Sequence, residues 1–209
     1  MIAKIVLTFV FRGRYMLGLK LETDTRWVRI VETNISEVLT DHAWCEQKAA
    51  SNAISIVVGW PHYTKLVDTM LSLAKEELSH FEMVHEKIKQ RGLVLGPERK
   101  DSYVNELFQF MRKGLPRAQA LTDRLLFAAM VEARSCERFR VLSEHVNDAE
   151  LRSFYRELMI SEANHYTTFI GFAREYGSDF EDVNERWKQW LEHEATVIKT
   201  YGQRETIHG

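Results

Sequence analysis

Two short segments of the chain carry a glutamate and a histidine three residues apart. They are Glu77 with His80 and Glu162 with His165, and the second pair repeats the first at an offset of 85 residues. Residues three apart lie on the same face of an α-helix, so each pair can direct a carboxylate and an imidazole at one point. Together the two pairs could supply ligands for metal ions.

Each pair has a further glutamate about one helix upstream. Glu46 precedes the glutamate of the first pair by 31 residues, and Glu132 precedes that of the second by 30. In two antiparallel helices, residues at the same depth lie symmetrically about the connecting turn. The two midpoints fall on Pro61–His62 and on Asn147, where the sequence carries turn signals. Each glutamate should therefore face its pair at one level, roughly 23 Å from the turn at about 1.5 Å per residue.

Six such groups would be costly to bury in a bundle unless a metal satisfied them. Carboxylate-rich sites with one histidine per metal suit iron or manganese, and Cys45 and Cys136, 91 residues apart, do not form a thiolate zinc site. One glutamate from each of two helices plus Glu-x-x-His from each of two others is the ferritin-like di-iron pattern. The predicted metal ligands are Glu46, Glu77, His80, Glu132, Glu162 and His165.

Two similar local patterns compete with these ligands. Glu137 is an alternative to Glu132, because Glu46 and Glu137 both follow a cysteine. The spacing favours Glu132, since the midpoint for Glu137 lies past the turn. A further Glu-x-x-His, Glu82 with His85, has no counterpart 85 residues later, and Glu82 points about 140° away from the first pair.

The elements that would position these residues are long helices. Apolar periodicity predicts helices over about residues 34–59, 63–91, 117–145, 149–176 and 180–199, with a shorter one around 103–111. The 209 residues include only ten glycines and three prolines, which favours few chain reversals, and the net charge of −2 excludes a uniformly basic protein. We predict an all-α, ferritin-like four-helix bundle with an additional C-terminal helix and a crossover segment between the two helical hairpins.

The N-terminal region differs from the rest of the chain. Residues 1–19 are predicted to be an extension, possible starts including Met16, and residues 20–209 a single ferritin-like di-iron domain. The apolar run before Arg12 and Arg14 is shorter than the ~20 residues that span a bilayer, so no membrane association is expected. The low cysteine content favours a reducing, cytoplasmic setting.

Four segments resemble the tRNA hydroxylases that act on 2-methylthio-N6-isopentenyladenosine. They are 41–51 (DHAWCEQKAAS), 74–82 (AKEELSHFE), 131–139 (VEARSCERF) and 154–165 (FYRELMISEANH), and the similarity runs from about Lys20 to the C-terminus. The resemblance implies that Glu132, and not Glu137, is the ligand in its helix. The first fifteen or so residues have no counterpart in that family.

The resemblance also implies a reaction. A pair of irons would use O2, with electrons from a reductase or ferredoxin-type donor, to hydroxylate the isopentenyl group of a modified adenosine beside the tRNA anticodon. The protein would supply metal ligands, orientation and a dry pocket. Because anticodon-loop bases are unpaired, the base could enter such a pocket without melting a duplex.

A tRNA partner requires a basic surface, and the crossover region is the candidate. Eight basic residues stand against four acidic ones between residues 86 and 118, so phosphate contacts are expected here, although an ordinary solvated loop is the alternative. Tyr63, Phe108 and Tyr166 could stack on bases or belong to the core. The basic residues are Lys87, Lys89, Arg91, Arg99, Lys100, Arg112, Lys113 and Arg117.

Other functions fit the same pattern of residues. Within the fold, the rivals are a ferroxidase or iron store, a peroxidase of the rubrerythrin type, and a radical-generating reductase subunit. The chain has no CxxC pairs, which argues against a fused rubredoxin domain. A metal-free helical scaffold that binds RNA or protein is a different class.

Overall fold

The computed structural model describes residues 16–208, and within that range it contains seven α-helices and no β-strand. The all-α prediction is therefore confirmed. The helices are α1 (Trp27–Thr33), α2 (Ile35–Gly59), α3 (Thr64–Gln90), α4 (Ser102–Gln109), α5 (Arg117–His145), α6 (Ala149–Gly177) and α7 (Val183–Tyr201).

Two antiparallel hairpins form the bundle. Helices α2 and α3 pack along their length, as do α5 and α6, and the two hairpins meet through α2 with α5 and α3 with α6. The turns span residues 60–63 and 146–148, where the spacing of the glutamates predicts them. The crossover segment, residues 91–116, connects the hairpins and contains α4. The C-terminal helix α7 packs against α4, α5 and α6.

Side-chain caps begin three of the helices. Asp101, Asp148 and Asp182 each accept a hydrogen bond from a backbone N–H of the first turn, at α4, α6 and α7 respectively. Such caps satisfy donors that have no partner inside the helix. At the other end of α3, Gly92 has a φ of 66°, a left-handed conformation that glycine adopts without strain and that ends the helix.

The sequence pattern missed helix α1. Its seven residues are too few to show helical periodicity, and tertiary contacts hold it in place. Trp27 is 1% exposed and donates a hydrogen bond from Nε1 to the carbonyl oxygen of Arg204, while the Arg138 guanidinium lies 4.0 Å from the centre of its ring. The helix thus closes one side of the core made by α5 and the C-terminal tail.

The N-terminal extension predicted over residues 1–19 lies mostly outside the described residues. Only its last four residues, 16–19, are described. Among these, Leu19 packs in the core with 3% of its surface exposed. The division between this extension and a domain over 20–209 stays a prediction. Among the described residues, no helix combines the length and the apolar character needed to cross a bilayer.

A buried network of charged residues ties α5 to α4 and α7. Arg134 is fully buried and donates to Glu194 of α7 and to Glu137 on its own helix, and the hydroxyl of Tyr103 in α4 also donates to Glu194. Breaking a paired charge at such depth is strongly destabilising. This network fixes the outer helices against the bundle that carries the candidate site.

Candidate metal centre

The six predicted ligands come together in the middle of the bundle. They form two overlapping groups of four, and within each group the ligand atoms lie within 4.8 Å of one another. All six side chains are buried, with at most 6% of each residue exposed. One group is Glu46, Glu77, His80 and Glu162; the other is Glu77, Glu132, Glu162 and His165.

The four glutamates are of two kinds, shared between the groups or belonging to one group. Glu77 and Glu162 belong to both groups, whereas Glu46 belongs to one and Glu132 to the other. Helices α3 and α6, which carry the Glu-x-x-His pairs, therefore supply the shared carboxylates. Helices α2 and α5 supply one carboxylate each, at the outer sides of the two groups.

The two histidines lie against different oxygens of the shared Glu77 carboxylate. Nδ1 of His80 is 3.2 Å from Oε2 of Glu77 and 3.7 Å from Oε2 of Glu46. Nδ1 of His165 is 2.9 Å from Oε1 of Glu77, and the two imidazole rings have centres 5.9 Å apart. Each group thus contains one imidazole together with carboxylate oxygens, a donor set that suits iron or manganese.

Several buried polar atoms of the site have no hydrogen-bond partner. They are Oε1 of Glu77, Oε1 of Glu162 and both ring nitrogens of His165. Nδ1 of His165 is close to Glu77, but the two atoms are not aligned as a hydrogen bond. Buried polar atoms are normally satisfied, and leaving them unpaired is costly. These side chains therefore fit a pair of metal ions that would accept their lone pairs.

The electrostatics of the site show how strongly the carboxylates interact. Burial, followed by repulsion from Glu46 and Glu132, raises the pKa of Glu77 to about 7. Burial also raises the pKa of Glu162 above its usual range. For His80, burial lowers the pKa but the bonds to Glu46 and Glu77 outweigh it and raise the pKa to about 10. Because Glu77, Glu162 and His80 hold their protons more tightly than usual, a metal ion must displace those protons to bind.

Two side chains that support the ligands were not identified from the sequence. His42 lies one turn before Glu46 and shares a hydrogen bond of 2.7 Å with its carboxylate. Glu76 places Oε2 3.4 Å from Nε2 of His165 and accepts a hydrogen bond from Ser161. A carboxylate behind a metal-binding histidine fixes the orientation of the ring. The 85-residue offset between Glu76 and Ser161 was the one signal that could have revealed their contact.

The competing glutamates lie elsewhere. Glu137 accepts hydrogen bonds from the backbone N–H of Thr23, at 2.9 Å, and from Arg134, at 3.0 Å. Its carboxylate therefore serves the structural network, in agreement with the spacing and the family resemblance that favour Glu132. Glu82 is exposed on the surface of α3, and His85 contacts the ring of Phe81.

The structure does not gather the eight basic residues of the crossover region into one surface. Arg91 pairs with Asp148 at one end of the bundle, whereas Arg117 binds the carbonyl oxygen of Gly59 at the other end, about 40 Å away along α3. Five of the eight form ion pairs with acidic side chains of the chain itself: Lys87, Lys89, Arg91, Arg99 and Arg112. The eight residues are therefore spread along the length of the bundle, and their contact with RNA stays a prediction.

The three aromatic candidates have contacts of their own. Tyr63 packs against Tyr176, with ring centres 4.6 Å apart, and Tyr166 packs against Trp187. Phe108 is 49% exposed and makes an edge contact with Phe127. Tyr63 and Tyr166 are therefore partly buried at the edge of the core.

A third group of polar residues closes the C-terminal tail over the bundle. Nδ1 of His208 is 2.8 Å from Oδ2 of Asp101, its Nε2 is 3.0 Å from the hydroxyl of Ser135, and Sγ of Cys45 is 3.8 Å from Nδ1. Asp41 accepts from the backbone N–H of Ile207. These groups satisfy one another's hydrogen-bonding capacity, and we interpret the cluster as a structural contact that holds the C-terminal tail against the bundle.

The fold and the site together define a class. Two helical hairpins that converge four carboxylates and two imidazoles, in overlapping groups with two shared glutamates, make this a ferritin-like protein with a candidate dinuclear metal centre. Comparison with known proteins narrows the class. The family model described as tRNA-(MS2IO6A)-hydroxylase (MiaE) matches residues 14–209, so the chain belongs to the MiaE family.

Individual relatives agree with this membership. The chain is 38% identical to a tRNA 2-(methylsulfanyl)-N(6)-isopentenyladenosine(37) hydroxylase of Pseudomonas putida, over 75% of each chain. It is 29% identical to the protein of the same name from Salmonella typhimurium, over 79% of this chain and 77% of that one. A solved structure, protein 43 with aldehyde deformylating oxygenase activity from Synechococcus, superposes with a TM-score of 0.83 at 33% identity, covering 91% of this chain and 95% of that one.

Proposed function

We propose that this protein is a tRNA hydroxylase that inserts one oxygen atom from O2 into the isopentenyl group of 2-methylthio-N6-isopentenyladenosine beside the anticodon. The family membership supports the reaction. The observation that carries the proposal is the pair of overlapping ligand groups with their unpartnered buried atoms. Two bound irons, reduced by an external reductase or ferredoxin-type donor, would supply the oxidising chemistry.

The six predicted ligands would be divided between two iron positions. Glu46 with His80 would hold one iron and Glu132 with His165 the other, while Glu77 and Glu162 would lie between them. Positioning on four separate helices makes the site rigid, because no ligand lies on a loop.

The side chains around the ligands would orient them and exclude water. His42 would hold the carboxylate of Glu46 through their hydrogen bond, and Glu76 would hold the ring of His165. Burial of all six ligands keeps bulk water from the reacting groups, which protects a strong oxidant from side reactions.

The substrate surface must be smaller than the crossover region as a whole. Lys100 is exposed next to Asp101, and Lys48 reaches the carbonyl oxygen of Arg99 at 2.9 Å. We place the phosphate contacts at this middle part of the crossover segment, because it lies beside the level of the ligands. Lys113 and Arg117, at the far end of the bundle, would contribute only long-range attraction, which salt screens.

The test uses purified protein loaded with iron, tRNA that carries the 2-methylthio-N6-isopentenyl modification, O2 and a reductant. Mass spectrometry of the digested nucleosides should show a product one oxygen atom heavier, with the oxygen derived from labelled O2. The exposed substitution Glu82→Gln should leave the yield unchanged, and Glu162→Gln should abolish it. An unchanged nucleoside in the presence of two bound irons would refute the hydroxylase proposal.

A second candidate activity has a specific observation in its favour. The solved relative at 33% identity is described as having aldehyde deformylating oxygenase activity. The same assay with an aldehyde in place of tRNA separates the two activities. Oxidation of ferrous iron without any organic product would instead favour a ferroxidase, and failure to bind iron would favour a metal-free scaffold.

A further inference from the structure

A cavity enters the bundle between α2 and α5 and reaches one of the predicted ligands. The cavity volume is about 70 Å³, which is room for a small group of a few heavy atoms. Glu132 borders the cavity, and the other lining residues are five apolar ones together with Cys45, Lys48, Asn52, Asp101 and His208. The apolar wall residues are Ala49, Val104, Phe127, Ala128 and Val131. The cavity therefore offers an apolar group a route to the candidate metal centre.

The cavity lies on the side of the centre that carries no histidine. Helices α2 and α5 contribute a single glutamate each, whereas both histidines come from α3 and α6. Between α3 and α6, Ser161 donates a hydrogen bond to Glu76, and the carboxylate of Glu76 lies 3.4 Å from Nε2 of His165. A ligand that enters between α2 and α5 would reach Glu132 without displacing either histidine.

One polar atom on the cavity wall lacks a partner. The amide oxygen Oδ1 of Asn52 is buried and makes no hydrogen bond, although the residue borders the cavity. A buried acceptor without a donor costs free energy, which a ligand N–H would recover. Asn52 is six residues after Glu46 on α2, so it lies about 9 Å further along the helix axis than the ligand level.

We propose that this cavity binds the isopentenyl chain of the modified adenosine and that Oδ1 of Asn52 accepts a hydrogen bond from the N6–H group. This inference rests on the proposed hydroxylase function and names the binding site for its substrate. The four bonds from N6 to a terminal methyl reach roughly 5 Å at about 1.5 Å per bond. An N6 atom held at Asn52 would thus place the methyl about 4 Å from the level of the ligands.

The mouth of the cavity also suits a nucleotide. Lys48 borders the cavity, and Lys100 is exposed on the adjoining crossover segment. Lys100 would face the phosphates that flank the modified base, and Lys48, which pairs with Glu98 at 3.1 Å, would exchange that carboxylate for a phosphate. Specificity for a prenylated adenosine would then come from the apolar wall and from the single acceptor, and affinity for RNA from the lysines.

The first experiment fills the cavity. Ala49→Leu adds bulk to the cavity wall, and Ser51→Leu adds a leucine to the outer face of the same helix, where Ser51 is exposed. Both variants are loaded with iron and assayed with a prenylated anticodon stem-loop RNA. Ala49→Leu should retain its iron but lose about a hundredfold in kcat/KM and in affinity for the RNA. Ser51→Leu should behave as the unmodified protein.

The second experiment removes the donor and the acceptor of the proposed hydrogen bond in turn. The unmodified protein should bind N6-isopentenyladenosine about tenfold more tightly than the analogue whose N6 carries a methyl group in place of hydrogen. Asn52→Ala should bind the two nucleosides equally, because no acceptor remains. This comparison needs no catalysis and does not depend on the stability of Ala49→Leu.

The outcomes separate this inference from the proposed function. If the unmodified protein hydroxylates the RNA and Ala49→Leu does so equally well, the cavity is not the substrate site and the function stands. Equal binding of the two nucleosides by the unmodified protein would overturn the role of Asn52. If the unmodified, iron-loaded protein acts on no prenylated RNA, the function fails, and the substrate site fails with it.

Discussion

The substitution Glu77→Gln should stabilise the metal-free protein and at the same time remove its ability to bind two irons. The side chain is fully buried and nearly keeps its size when the carboxylate becomes an amide. Burial and the nearby carboxylates of Glu46 and Glu132 raise its pKa to about 7. Because Glu77 belongs to both ligand groups, its loss affects both metal positions.

The magnitude follows from that pKa. A rise from 4.5 to about 7 corresponds to an ionisation cost on the order of 3 kcal/mol in the folded state. The neutral amide avoids this cost above pH 7, but it also gives up the pairing of Glu77 with His80 and His165. We therefore expect a gain of about 1–3 kcal/mol in the free energy of unfolding of the metal-free variant. Bound iron should fall from about two per chain to one or none.

The assay combines urea unfolding of the metal-free protein at pH 8, followed by circular dichroism, with iron analysis after anaerobic loading. Glu82→Gln makes the same chemical change at an exposed site of the same helix and should alter neither measurement. Two irons per chain bound by Glu77→Gln would show that the carboxylate is not a ligand. A lower free energy of unfolding in metal-free Glu77→Gln would show that the ionised carboxylate of Glu77 does not destabilise the folded protein.

Three further results are expected. Glu76→Gln should weaken iron binding about tenfold to a hundredfold, measured by competition with a chelator, because the amide holds the ring of His165 less firmly; unchanged affinity would remove Glu76 from the account. Glu194→Gln should lower the free energy of unfolding by about 1–3 kcal/mol, since it removes one of the two buried carboxylates that pair with Arg134 and leaves only Glu137, and unchanged stability in urea unfolding would contradict this. The stability that the raised pKa of Glu77 gives the metal-free protein should be complete below pH 4.5 and be lost as the pH rises through about 7. Thermal unfolding between pH 5 and 8 should show this loss, and Glu77→Gln should not show it.

The convergence of the six candidate ligands could be predicted from the sequence, because residue spacing along a helix determines which side chains lie at the same level. An offset of 85 residues between the two Glu-x-x-His pairs, and equal distances to the upstream glutamates, place six side chains at one level of two hairpins. No residue-by-residue contact is needed for that inference. The turns at residues 60–63 and 146–148 agree with it.

The features that could not be predicted depend on contacts between distant parts of the chain. Helix α1 is held by a contact between Trp27 and Arg138, more than a hundred positions apart. The basic residues of the crossover region are close in sequence but lie at opposite ends of the bundle, and most of them have acidic partners that no local pattern reveals. The hydrogen bond between His42 and Glu46 is local, but helical spacing alone does not distinguish it from ordinary packing.

The central claim is that one buried centre of six side chains binds two metal ions. The most direct measurement is a crystal structure of the iron-loaded protein with anomalous scattering data collected at the iron absorption edge. Two anomalous peaks are expected inside the bundle, both in contact with Glu77 and Glu162, one beside Glu46 and His80 and the other beside Glu132 and His165. Peaks at any other location, or none within the bundle, would contradict it.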